Sequence, residues 1–378
     1  MTLVEKFDWS KYYLADIPFL NPPIINVLAA DQRVNGRLFC KDVVEEEFTR
    51  LVHLITRQPS MVYVSSSSSV LGTGKSALMA AAYWHLRDQG KTAIWVEATG
   101  GMTAAPTIGR VIDAMVAQGI FDQLTSSLGH FTYDTIVSRL KSVYPAPSPT
   151  LSQALTKILQ TPQPDTAKKF ANIRRSIQIA SAAELFGYVT VLLEASGIIH
   201  PNIFLDQFEE FVQSHSGQAQ MFRLGSDIND LLRGIGGRVT FVTSLHPEAE
   251  STLMSAAGKY VRTLAPISQS TTILVRPISE ENAVKLASYY LNKYRVSTQG
   301  LPDLFPFSQN VIRYIASMSN GVPRSIITAL HNALIEGALR GYAQINEEFI
   351  AKEDIHSAVL IDAPNKWRDF VQGSLKAK

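Results

Sequence analysis

The run Gly72-Thr73-Gly74-Lys75-Ser76-Ala77 stands between an apolar, β-favouring stretch, Met61-Val62-Tyr63-Val64, and a helical pattern over residues 77–82. Strand, glycine loop and helix is the context in which a backbone curls around phosphate oxygens. Glycines let successive N–H groups converge on the oxygens, and the helix N-terminus adds its partial positive charge. Lys75 is then placed to neutralise β and γ phosphates, and Ser76 to ligate Mg²⁺, with the backbone of residues 72–77 as the cradle. One position departs from the G-x-x-x-x-G-K-[ST] spacing, because Ser69 stands where the first glycine belongs. If that position needs a positive φ, serine costs on the order of 1 kcal/mol.

Three further runs carry compatible chemistry. Ile203-Phe204-Leu205-Asp206 is a hydrophobic strand ending in a carboxylate, the arrangement of a Walker B element, so Asp206 is expected to hold Mg²⁺ through its water shell. Gln207 follows where a water-activating glutamate is often found; it can orient water but cannot take its proton. Glu209 and Glu210 are the alternative bases, with Glu209 preferred. The strand Val239–Thr243 leads into Ser244, whose hydroxyl is a candidate to meet the γ-phosphate or the attacking water. Asn320-Gly321-Val322-Pro323-Arg324 opens a helix, and Arg324 is a candidate to swing onto the nucleotide.

The elements that must position these groups follow from periodicity. Apolar positions Val44, Phe48, Leu51, Val52 and Ile55 recur at three and four residues and predict an amphipathic helix over 43–55, with Glu45, Glu46 and Glu47 on its exposed face. Five short apolar strands are expected, at 61–64, 92–96, 203–205, 239–243 and 272–275, separated by helical segments. Such a pattern implies a parallel sheet buried on both faces. Residues 1–40 contain Pro18, Pro22 and Pro23 and read as an extended arm; 41–278 form the α/β domain, with a helical insertion at about 100–198. Residues 279–378 read as a helical carboxy-terminal domain, with helices expected at 280–294, 308–318, 324–339 and 352–360.

Composition narrows the alternatives. The chain of 378 residues carries 35 Lys+Arg against 33 Asp+Glu, a net charge of +2 that excludes the global field of a histone-like nucleic-acid binder. A nucleic-acid role must then come from a local patch, and Lys168, Lys169, Arg174 and Arg175 are the densest basic cluster, open to DNA phosphates or to a plain solvated face. The single cysteine, Cys40, excludes an intramolecular disulfide framework and reads as a small buried hydrophobe. The eight histidines have no His-x-x-x-His spacing, so no zinc site is expected, and no G-x-S-x-G elbow supports a serine hydrolase. Without an apolar leader or a run of roughly 20 apolar residues, the expectation is a cytoplasmic chain with no membrane segment. Charged residues make up 18%, below the roughly 25% of typical domains, which points to surface covered by a partner or by self-association.

The four motifs together resemble the AAA+ ATPases, closest to the branch holding origin-recognition initiators and the STAND signalling ATPases. The resemblance spans roughly residues 36–360 and rests on Gly72-Thr73-Gly74-Lys75-Ser76, Leu205-Asp206-Gln207-Phe208-Glu209-Glu210, Ser244-Leu245-His246 and Gly321-Val322-Pro323-Arg324. It implies a five-stranded parallel P-loop NTPase (AAA+) core with a helical lid, bound ATP and Mg²⁺, Ser244 and Arg324 as sensors, and assembly into a homo-oligomer. His246 stands where STAND proteins commonly have arginine. An arginine finger from a neighbouring subunit is also implied, with Arg262 the first candidate and Arg238 the second. Initiator-like features favour action on DNA, while the Walker B wording favours a signalling or anti-phage defence switch. The rival reading is a nucleotide-regulated scaffold that hydrolyses little and binds a protein partner, supported by Ser69 and Gln207. A small-molecule kinase on the same loop is disfavoured by the Gly-x-Pro-Arg motif. No winged-helix domain is expected after the last helix, so recognition is expected in the insertion, the arm or a separate protein.

Overall fold

The computed structural model describes residues 8–21, 23, 25–59, 61–67, 72–97, 104–120, 126–127, 131–160, 182–207, 237–245, 271–297, 300–352, 355 and 358–359. The chain divides into two compact units, one made of 1–48, 70–81 and 275–378, the other of 49–69 and 82–274.

The second unit is built on a parallel sheet. Its strands are β1 (Met61–Ser66), β2 (Ala93–Glu97), β3 (Asn202–Asp206), β4 (Thr240–Ser244) and β5 (Thr272–Val275), in the spatial order β2-β3-β4-β1-β5. β1, β3 and β4 are buried along their whole lengths, their apolar centres and their terminal polar residues alike, as in a sheet covered on both faces. The registers Val64↔Ser244, Leu205↔Thr243 and Glu97↔Asp206 bring the carboxyl ends of these strands to one edge. Each strand lies within two residues of its predicted place.

Helices α1 (Glu45–Thr56), α2 (Lys75–Asp88), α3 (Ala104–Ala117), α4 (Tyr133–Lys141), α5 (Pro149–Leu159) and α6 (Ala182–Ala195) precede β3. The segment expected as an insertion supplies the sheet's own cover. Val111, Ile112 and Met115 of α3 and Phe186, Val189 and Leu193 of α6 share one core with Ile94, Ile203 and Phe241 of the strands. Ser148 supports the start of α5: its N–H meets Glu184 Oε1 at 3.1 Å and the Tyr188 hydroxyl, and the Tyr188 hydroxyl also donates to Glu184.

β2 is an edge strand, and its free edge is closed by a side chain. Gln118, just past α3, accepts from Trp95 N–H at 3.2 Å and donates to Trp95 C=O at 2.9 Å, as a neighbouring strand would. The Tyr83 hydroxyl donates to the same Gln118 oxygen at 3.1 Å. Exposed strand edges invite pairing with other chains, and this carboxamide blocks it.

The first unit gathers α7 (Glu280–Tyr294), α8 (Gln309–Met318), α9 (Pro323–Leu339) and α10 (Glu347–Ile350) around the amino-terminal arm. Ser279, Ser308 and Asn346 cap α7, α8 and α10 by accepting from the N–H groups of Asn282, Val311 and Phe349, while Pro323 begins α9. The arm is part of this core. Tyr12, Leu14, Ile17 and Phe19 are buried among the helices, Tyr12 donates to Tyr342 C=O at 2.9 Å, and Ala15 N–H donates to Tyr294 C=O at 2.8 Å. Arg33 is held by Asp16 and Asp31 at 2.8 and 2.6 Å and lies 5.2 Å from the Tyr294 ring.

Two helix expectations shift. The first helix starts at Glu45 because residues 41–43 form a short 3-10 turn. The last expected helix, 352–360, is preceded by α10, whose Asn346-Glu347-Glu348-Phe349 sequence is itself a capping signal; Ile355, Ala358 and Val359 have helical backbone. Cys40 is buried, as expected, at 5% exposure.

Candidate functional site

The glycine loop and Arg324 meet within the first unit. Gly72 and Gly74 have φ of +89° and +100°, the left-handed backbone that a tight phosphate-binding turn needs. Gly74 C=O accepts the first helical bond, from Leu78 at 2.9 Å, so α2 starts at once after the loop. Its first turn contains no carboxylate and begins instead with Lys75, which is only 7% exposed. A buried lysine at the positive end of a helix is opposed by the dipole and by desolvation, and an anion at that end reverses both costs. Thr73, between the glycines, is 2% exposed, and its hydroxyl has no hydrogen-bond partner among the described residues. Buried hydroxyls are seldom left so, and a ligand oxygen would satisfy this one.

Gly72 is also the point at which the loop touches α9. Arg324 N–H donates to Gly72 C=O at 3.2 Å. A Cβ on Gly72 would lie 2.6, 3.0 and 3.3 Å from Arg324 Cβ, Cδ and Cγ, so the aliphatic stem of the arginine rests on the bare glycine. The Gly321 turn that sets up α9 is tied down by Ile278 N–H, which donates to Gly321 C=O at 2.8 Å. The arm reaches the same helix as the loop: Gly36 packs so closely on Ala80 of α2 that a Cβ there would be 2.5 Å from the alanine methyl. Sequence reading missed Gly36, although a glycine just before an amphipathic helix was a usable signal.

In the second unit, Asp206 and Ser244 end β3 and β4, two adjacent strands, and are 5% and 1% exposed. Gln207 follows Asp206 with φ +58° and is exposed. That left-handed step at a non-glycine residue is a strain that periodicity cannot reveal. Thr243, beside Ser244, is fully buried with an unpaired hydroxyl among the described residues.

No known protein-family profile matches this sequence, and no curated protein does. Solved structures do. The ORC2 protein of Aeropyrum pernix, in its ADPNP-ADP complexes, superposes with a TM-score of 0.51 at 12% identity, over 89% of this chain and 68% of that one. The chain has a P-loop NTPase fold, with the five-stranded parallel sheet in the order β2-β3-β4-β1-β5. A Walker-type ATPase of Pyrococcus abyssi is similar at a TM-score of 0.47 and 12% identity, covering 86% of this chain and 74% of its own. The Aeropyrum pernix ORC1 protein in complex with DNA gives 0.46 and 13%, covering 88% and 67%.

Within this fold the remaining candidates fall as follows. Ser69, Glu209, Glu210, His246, Arg262, Lys168, Lys169, Arg174 and Arg175 lie outside the described residues. Arg238 is not projecting freely: its Nε donates to Glu194 Oε2 at 3.0 Å in the same chain. Among the described residues no group of three or more His, Cys, Asp or Glu side chains gathers to hold a metal, and no helix is long and apolar enough to cross a membrane.

Proposed function

We propose that this protein binds ATP with Mg²⁺, hydrolyses it, and uses nucleotide state to control its own assembly and its grip on a partner. The observation that carries the reading is the pair of left-handed glycines delivering a buried Lys75, and a Thr73 hydroxyl unpaired among the described residues, to the start of α2. The backbone of 72–77 and Lys75 bind the phosphates. The donor set suits a magnesium ion: Ser76 offers a hydroxyl at the helix start, and Asp206 is a buried carboxylate at a strand end. Bound there, Mg²⁺ supplies charge neutralisation for the phosphoryl oxygens. Ser244 and Arg324 orient the γ-phosphate, and Glu209 or Glu210 takes the proton from water. The partner is DNA, met through Lys168, Lys169, Arg174 and Arg175, or a protein of a defence complex.

A second reading is a nucleotide-regulated scaffold with little turnover, favoured by Gln207, an amide directly after Asp206. One experiment separates the two. Phosphate release and particle mass are followed together with ADP, ATP and a non-hydrolysable ATP analogue, with and without duplex DNA. The motor reading requires turnover and ATP-dependent growth in mass. The scaffold binds nucleotide without turnover or growth. Lys75→Ala is expected to weaken ATP binding tenfold or more, since a charge-assisted contact is worth about 1.5–3 kcal/mol, and unchanged affinity removes the loop from the site.

A further inference from the structure

Residues 26–38 of the arm form a loop bonded to itself. Val34 and Asn35 N–H donate to Asp31 C=O at 3.1 and 2.9 Å, Leu38 N–H to Gln32 C=O at 3.1 Å, and Asn26 N–H to Val34 C=O at 2.8 Å. Asn35, 6% exposed, ties the interior: its amide donates to Ala29 C=O at 3.0 Å, and its Oδ1 accepts from Arg37 N–H at 2.9 Å. The loop is also held by α7, where the Tyr290 hydroxyl donates to Leu38 C=O at 3.1 Å.

Gly36 is the point at which this tied loop meets α2. A Cβ there would lie 2.5 Å from the Ala80 methyl, against the roughly 3.5–4.0 Å of an ordinary carbon contact. The alanine methyl is fixed to its backbone and cannot rotate aside, so the loop or the helix would have to move by about 1 Å. Ala80 stands one helical turn after Ser76, on the same face of α2, and five residues after Lys75. A push at Ala80 is carried along the helix to both residues.

We propose that Gly36 is a positioning residue for the nucleotide loop: its missing side chain lets the arm seat α2 where Lys75 and Ser76 can meet phosphate. The inference rests on the nucleotide reading of residues 72–77. The same geometry supplies a rescue. Once the Ala80 methyl is removed, the nearest atoms to a Cβ at 36 are Ala80 Cα at 3.7 Å and Ala80 C at 3.8 Å, which is ordinary contact. Gly341 supplies a control for backbone strain, since its φ of +74° is close to the +78° of Gly36 and nothing lies within 4 Å of a Cβ there.

The test measures the ATP affinity of the full chain by calorimetry in the presence of Mg²⁺. Gly36→Ala is expected to bind ATP at least tenfold more weakly, Gly36→Ala combined with Ala80→Gly to return to within threefold of wild type, and Gly341→Ala to match wild type. The double variant keeps the strained backbone at 36 and adds a glycine inside a helix, so a purely structural role would leave it no better than the single variant. Unchanged affinity in Gly36→Ala, a double variant as weak as the single, or an equal loss in Gly341→Ala overturns the positioning role. If Gly36→Ala does not fold, hydrogen exchange on the wild type decides. Linked sites act reciprocally, so ATP is expected to slow the Val34, Asn35 and Leu38 amides at least threefold, and unchanged exchange overturns the role. A wild type that does not bind ATP, or binds it equally after Lys75→Ala, overturns the nucleotide reading and this inference with it; normal wild-type binding with an indifferent Gly36 overturns the inference alone.

Discussion

At Gly72 a single missing methyl serves both the loop and its neighbour. Gly72→Ala faces a φ of +89° and a Cβ placed 2.6 Å from Arg324 Cβ. The left-handed backbone alone costs roughly 1–2 kcal/mol, and the clash must in addition move α9 or the loop. We expect a lower denaturation midpoint together with weaker nucleotide binding; a variant with normal stability and affinity contradicts the packing described here. Tyr12 permits a test by pH. Burial pushes its phenol up to about 12 from 10.0, so the folded state holds the proton that the unfolded state releases. The resulting stability is complete below pH 10 and is lost between pH 10 and 12, up to about 2–3 kcal/mol. Tyr12→Phe should therefore unfold less steeply with alkali, at the cost of about 1 kcal/mol at neutral pH for the lost bond to Tyr342. Identical alkaline slopes in the two proteins would show that Tyr12 is not the titrating group.

Among the elements, β2 shows how much one side chain can do for a sheet. Gln118 makes two bonds to Trp95 and accepts a third from Tyr83. Gln118→Ala removes all three, and at about 1 kcal/mol each the loss approaches 3 kcal/mol. It also opens a strand edge whose backbone groups then seek partners. Denaturation should report the first effect, and light scattering a rise in self-association should report the second. A destabilised variant that stays monodisperse would mean that the edge is guarded by something other than Gln118. The same carboxamide explains why the edge position of β2 is not written in its own residues: Ala93-Ile94-Trp95-Val96 is as apolar as a central strand.

For the molecule as a whole, the arm belongs with the carboxy-terminal helices. Residues Tyr12, Leu14, Ile17 and Phe19 are all 3% exposed or less and are packed against helices about 300 residues away in sequence. Deleting residues 1–20 strips these four side chains from the core, at roughly 1.5–3 kcal/mol each. The truncated protein is expected to lose cooperative unfolding of the carboxy-terminal helices, read by circular dichroism during a melt. Retention of the full transition would make the arm an accessory.

The local sequence was sufficient wherever the physics is local. Apolar runs announced all five strands, because a strand covered by helices on both faces is apolar along most of its length, with its polar residues gathered at the ends. The glycine loop was legible because few other jobs need two glycines, a lysine and a hydroxyl at a helix start. Helical pattern located α7, α8 and α9 to within a residue, though Asn346, the cap of α10, went unread. Sequence alone could not order the strands, since the same five runs are compatible with many pairings and only the registers choose β2-β3-β4-β1-β5. Nor could it reveal that Gly72 lies under Arg324, that Gln118 closes β2, or that the buried Thr73 hydroxyl has no partner among the described residues. Those facts join residues far apart in the chain, and they exist only once packing has decided which groups lose their water.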